Sequence, residues 1–159
     1  MSLQSEVNNA LKGLGVFSTG PRTLDAVASG QRLNCELTAL DTLAATFDRF
    51  VLHTDSLRGK SLDQLKAVGQ ALSSRLSYLL EPISPIEVDR EGCVVQLRSS
   101  PPQKQDDATT YYELLVRQGE LSLCRYTKAI GNQRQVVPAC VTREVFLRLV
   151  GDFSAAAGS

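Results

Sequence analysis

The chain has 159 residues, enough for one domain with a substantial core, since a domain of about 150 residues hides roughly 70% of the surface its unfolded chain exposes. Its apolar content of 43% and charged content of 21% match ordinary globular usage and exclude a disordered or membrane-spanning chain. Lysine plus arginine balances aspartate plus glutamate at 17 each, so no net field draws the whole protein to nucleic acid or to anionic lipid.

The first residues, Met-Ser-Leu-Gln-Ser-Glu, carry neither the basic start nor the apolar run of a signal peptide, and a cytoplasmic location is expected. Leu3, Val7, Ala10, Leu11 and Leu14 recur at helical spacing and predict an amphipathic helix stopped by Gly13 and Gly15. Ser18 to Gln31 is rich in Ser, Thr, Gly and Pro, which predicts a loop with one helical turn around Leu24 to Ala28. Leu33 to His53 fits both a helix and an alternating pattern. Its many threonines, with Phe and Val, favour strands and predict a hairpin turning near Asp41 and Thr42.

The central helix is fixed by a capping box, Ser61 with Gln64, in which each side chain satisfies a backbone N–H of the other's turn. Leu65, Val68, Gly69, Leu72, Leu76, Leu79 and Leu80 then form one apolar stripe, ended by Pro82. Two hairpins follow. A loop at Asp89-Arg90-Glu91-Gly92 places Val88 opposite Cys93 and Ile86 opposite Val95. A Gln118-Gly119 turn places Val116 opposite Leu121 and Leu114 opposite Leu123, with Arg117 facing Glu120 and Tyr111 facing Tyr126 on the other side.

Between the hairpins, Ser99 to Thr109 is predicted as a polar loop containing Pro101-Pro102 and Asp106-Asp107. A second loop, Lys128 to Gln133, precedes a short strand-like run at Gln135 to Val137. The last helix starts at Thr142 and buries Val145, Phe146, Leu149, Val150 and Phe153, with Ala155 to Ser159 expected to fray. The sum is an α+β fold: an antiparallel sheet of about five or six strands, with helices at both ends and one in the middle packed mainly on one face. One domain spans 1–159. The order of elements resembles that of small antiparallel-sheet chaperones that bind secreted effectors, and the resemblance implies such a function without assigning any residue to it.

Chemistry is sparse in this sequence. Cys35, Cys93, Cys124 and Cys140 form no Cys-x-x-Cys pair, which predicts reduced, mostly buried thiols and neither a zinc site nor a redox centre. His53 is the one histidine. Cys140 stands two residues before a helix N-terminus, where a thiolate is favoured, but no base adjoins it, and a packed cysteine is expected there. Glu87 and Asp89 flank Val88 on one strand face and form the alternative acid–base pair. No nucleotide, hydrolase or metal motif is present, so no catalytic, cofactor or metal residue is assigned.

The remaining signal is a surface. Tyr111, Leu115 and Tyr126 on the outer face of the second hairpin, with Arg117 and Arg125, are residue types enriched at interface hot spots. The leading expectation is a non-enzymatic domain that binds a protein partner or a second copy of itself. A small enzyme using Cys140 or the Glu87/Asp89 pair, and a weak nucleic-acid binder using the Tyr and Arg face, are the alternatives. A membrane partner is not expected.

Overall fold

A computed structural model describes residues 2–100, 103–105 and 107–158. Three α-helices, α1 (Leu3–Leu14), α2 (Leu62–Arg75) and α3 (Arg143–Ala157), begin at Ser2, Ser61 and Thr142, whose hydroxyl oxygens accept the N–H of Ser5, Gln64 and Val145. The capping box at Ser61 is complete. Among the described residues, no helix is long and apolar enough to cross a membrane.

Ten strands lie in one antiparallel sheet: β1 (Arg22–Ala28), β2 (Gln31–Leu40), β3 (Ala44–Thr54), β4 (Ile83–Asp89), β5 (Val94–Ser99), β6 (Gln103–Gln105), β7 (Ala108–Arg117), β8 (Glu120–Ala129), β9 (Gln135–Val137) and β10 (Ala139–Thr142). The continuous path is β1-β2-β3-β8-β7-β5-β4, with β6 on β7, β9 on β8 and β10 on β3. The α+β class with three helices agrees with the sequence. The expectation of five or six strands is corrected, because the seven-strand path gains three short segments and includes β1.

The segment 22–28 is a strand instead of a loop with a helical turn, pairing Leu24 with Cys35 and Ala26 with Leu33. Only Leu24 and Ala26 of it are buried, so its alternation is faint in the sequence. The hairpin of β2 and β3 turns at Asp41, whose carboxylate accepts the N–H of Leu43 and Ala44 at 2.7 and 2.6 Å. That pair of bonds does the work a glycine turn would have done.

The second predicted hairpin has the expected register throughout, from Arg117 with Glu120 to Tyr111 with Tyr126. The first is corrected. Val88 faces Val95, not Cys93, and a bulge removes Ile86 from the ladder. Asp89 accepts the Gly92 N–H at 3.1 Å and Cys93 takes a φ of 54°, so the turn spans Arg90 to Cys93, one residue later than expected. The expected loop over 99–109 is also corrected in part, since β6 pairs with β7; Pro101, Pro102 and Asp106 lie outside the described residues.

All three helices cover one face of the sheet. α1 lies against β1 and α3, whereas α2 lies against β4, β5, β7 and α3. Gly69 lets α2 approach closely: a Cβ there would stand 3.0 Å from Leu97 Cδ1 and 3.3 Å from Val116 Cγ2. Phe47 and Phe50 of β3 meet Phe146 and Phe153 of α3, with ring centroids 4.8–5.9 Å apart and mostly edge-on. The α2 stripe departs from expectation at its end, where Leu80 turns left-handed at φ 64° and is 87% exposed. The last turn of α3 does not fray as expected. Ala157 is buried and its carbonyl accepts the Ser56 hydroxyl at 2.9 Å.

The sheet forks at its centre. β3 and β8 pair only over Arg49–His53 and Glu120–Cys124. Beyond that they diverge, and the chain lines the gap, running inward along β8 as β9, turning at Pro138, and leaving along β3 as β10.

Candidate functional site

The opposite face of the sheet carries no helix. Residues directly across an antiparallel pair share a face, so the register writes this outer surface out row by row. One row reads Val27, Arg32, His53, Glu120, Arg117, Val94; the next Asp25, Asn34, Val51, Ser122, Leu115, Gln96; the third Thr23, Glu36, Arg49, Cys124, Glu113, Arg98. Acids and bases alternate across the strands.

An uncovered face would be expected to be solvated, yet its centre is not. Val51, Glu113, Ser122 and Cys124 are 2–8% exposed. The sheet is concave here, and long side chains close over it. A cleft of about 470 Å³ results, with Leu115, Ser122, Cys124, Tyr126 and Val136 beside Glu113 and Arg134, and Glu36, Asp48, Arg49 and Arg117 around them.

Arg134, from the loop before β9, crosses this surface. Its guanidinium lies 3.9 Å from the Tyr126 ring centroid and donates two hydrogen bonds to the Glu113 carboxylate, Nη1 to Oε2 at 2.5 Å and Nη2 to Oε1 at 3.3 Å. Gln96 Nε2 also donates to Glu113 Oε2, at 2.6 Å. A carboxylate this deeply placed needs such partners, because an unpaired buried charge costs several kcal/mol. The hydrogen bonds to Glu113 in turn hold Arg134 protonated beyond the usual arginine range. Burial pushes the Tyr126 phenol and the Cys124 thiol up, so neither is primed as a nucleophile.

The candidate surface residues fall into two groups. Tyr111, Leu115, Arg117 and Tyr126 are on this outer face, but the tyrosines do not form a bare apolar strip. Tyr111 is only 4% exposed, and the Arg98 guanidinium lies 4.3 Å from its ring centroid. Arg125 is on the other face. It shares parity with the inward Leu121 and Leu123, and it pairs with Glu81 at 3.0 Å. The alternation of β8 already contained that signal. Arg134 and Glu113 were not singled out in the sequence, because their contact joins a loop to a strand 21 residues away.

The alternative chemistry is dispersed. Cys140 is exposed on β10 opposite Thr46, so the expected packed cysteine is corrected, Ala139 filling the inward position instead. His53 lies at the far end of β3, about 20 Å away at a strand's rise per residue, with Nδ1 3.7 Å from Glu120 Oε2. Glu87 and Asp89 are exposed on the β4 edge, and Asp89 holds the Gly92 turn. Cys35 and Cys124 are buried and Cys93 half-buried, and all four thiols are free. Among the described residues, no group of three or more His, Cys, Asp or Glu is placed to hold a metal ion. No protein-family model, curated protein or solved structure matches this chain.

Proposed function

We propose that the protein is a non-enzymatic binding module whose outer sheet face receives a segment of a protein partner. The observation that carries this reading is the cleft on a helix-free face, with Leu115, Cys124 and Val136 beside the Glu113–Arg134 pair inside it and Glu36, Asp48, Arg49 and Arg117 at its rim. An apolar, desolvated centre inside a charged rim is the anatomy of protein interfaces. The rim holds both signs in neighbouring positions. It therefore complements a segment that presents an apolar side chain flanked by an acid and a base, and it disfavours a uniform polyanion such as nucleic acid.

Panning of a displayed random-peptide library on the wild-type protein tests the reading. Enriched peptides should carry that apolar-with-both-charges pattern, and Leu115→Glu should abolish their binding while leaving the melting transition cooperative. Absence of enrichment, or enrichment indifferent to Leu115→Glu, overturns the proposal. Light scattering at matched concentration addresses the other occupant. A wild-type dimer that Leu115→Glu and Arg49→Glu each return to monomer would assign the cleft to a second copy and overturn the heterologous partner.

A further inference from the structure

At one end of the outer face the charge alternation stops. Across β6, β7 and β8 the register puts Lys104, Thr109 and Lys128 in one row, next to the Tyr111 and Tyr126 row. Arg98 reaches in from β5 over the Tyr111 ring, and Arg134 from the loop before β9. Of these, Arg98, Thr109, Tyr111, Lys128 and Arg134, with Ala129 and Ile130, line a hollow of about 530 Å³. Among the described residues, no carboxylate lines it.

Three cations around an aromatic floor repel one another more strongly than they would in water, because the low-dielectric wall screens them poorly. Glu113 forms its ion pair with Arg134, while Arg98 stands directly across from it on β5. Among the described residues, Arg98 and Lys128 have no carboxylate within salt-bridge distance. Among the described residues the Arg98 Nε has no hydrogen-bond partner, but it is buried against protein, so any ligand in the hollow meets the rest of the guanidinium.

We infer that this hollow is a binding site for a phosphate-type oxyanion, free or carried on a small organic molecule. The Arg98 fork would donate in parallel to two of its oxygens, Lys128 would supply a point charge, and the Thr109 hydroxyl would donate to a third oxygen. A dianion suits the hollow better than a single carboxylate, because more than one uncompensated positive charge faces it. Tyr111 and Ile130 offer apolar surface to whatever group carries the phosphate. This inference shares Arg134 with the cleft reading and is tested apart from it through Arg98 and Lys128, which do not line that cleft.

The test is a titration of isotope-labelled protein followed by NMR at constant ionic strength. Inorganic phosphate is one arm, phenyl phosphate the second, and sodium chloride the control. Both phosphates should shift the Thr109, Tyr111 and Lys128 amides saturably. Tighter binding of phenyl phosphate assigns the ligand to an organic phosphate, and equal binding to the free anion. Arg98→Gln and, separately, the exposed Lys128→Gln should each weaken binding about tenfold, as the loss of a hydrogen bond to a charged group does. Lys12→Gln on α1 should leave it unchanged, and the amide spectrum shows in each case that the fold is intact. Shifts that chloride reproduces, that never saturate, or that survive Lys128→Gln undiminished overturn the inference.

Discussion

Arg125 Nη2 lies 3.0 Å from Glu81 Oε2 on the helix side of the sheet, with the two side chains 13% and 8% exposed. The pair belongs to a closed ring of contacts. The Ser99 hydroxyl donates to Glu81 Oε1 at 2.9 Å, Ser99 Oγ accepts the Tyr112 N–H at 2.9 Å, and the Arg125 guanidinium lies 4.4 Å from the Tyr112 ring centroid. The ring ties the turn after α2 to β5, β7 and β8.

Removing one partner should therefore be costly. Arg125→Ala is expected to destabilise the protein by about 3–5 kcal/mol, because it leaves the Glu81 carboxylate buried with Ser99 alone. The double replacement Glu81→Leu with Arg125→Met should lose much less. Urea unfolding measures both, as a shift of the midpoint at constant slope. A double variant as unstable as the single one would show that the ring matters for more than charge compensation.

Leu76 closes α2 at 1% exposure within the core. Leu76→Ala should cost about 2–5 kcal/mol, the range of buried leucine truncations. Thermal denaturation reads this directly, and an unchanged transition would remove the end of α2 from the core.

The thiols should separate by reagent kinetics. Cys140 is exposed and is expected to react with a small disulfide reagent in the native state, and Cys140→Ser should delete that rapid phase. Cys35 is fully buried and burial pushes its thiol well up, so it should react only when the protein unfolds. A rapid phase that survives Cys140→Ser would contradict this assignment.

Alkaline pH should destabilise the protein partly through Tyr78. Its hydroxyl donates to Asp152 Oδ2 at 2.8 Å, and burial, followed by that bond and the Asp152 charge, raises its phenol. The contribution is complete while the phenol is protonated in both states, below about pH 10. Above that the unfolded chain releases its proton first, and stability falls as pH rises towards the native value. Tyr78→Phe should lower stability at neutral pH and flatten its decline between about pH 9 and 11. Urea midpoints across that range give the slope, and an unaltered slope would exclude Tyr78 as a contributor.

The parts of the fold legible in the sequence are those whose side chains agree with their neighbours at short range. The β7–β8 hairpin could be written down because Arg117–Glu120 and Tyr111–Tyr126 both fit one register. The start of α2 could be placed because Ser61 and Gln64 cap each other. β1 escaped because only Leu24 and Ala26 point inward with real burial, and its flanks are rich in Gly, Pro and Ser. The β4–β5 register escaped because a side chain, Asp89, sets where the turn falls. At the candidate site, the outward tyrosines were legible from alternation, whereas their covering was not. Arg98 and Arg134 reach them from another strand and a loop, a long-range fact that no local pattern encodes.

The fork between β3 and β8 bears on how the chain is made. The two inner edges it leaves open are sealed only by 135–142, a stretch that leaves the ribosome after every strand it touches. Until then a nascent chain holds two half-sheets hinged at a short central ladder, with raw hydrogen-bonding edges facing each other across the gap. The sheet is thus closed only once 135–142 has been added. During that interval the unsealed edges are where a folding helper, or a misfolding neighbour, would first take hold.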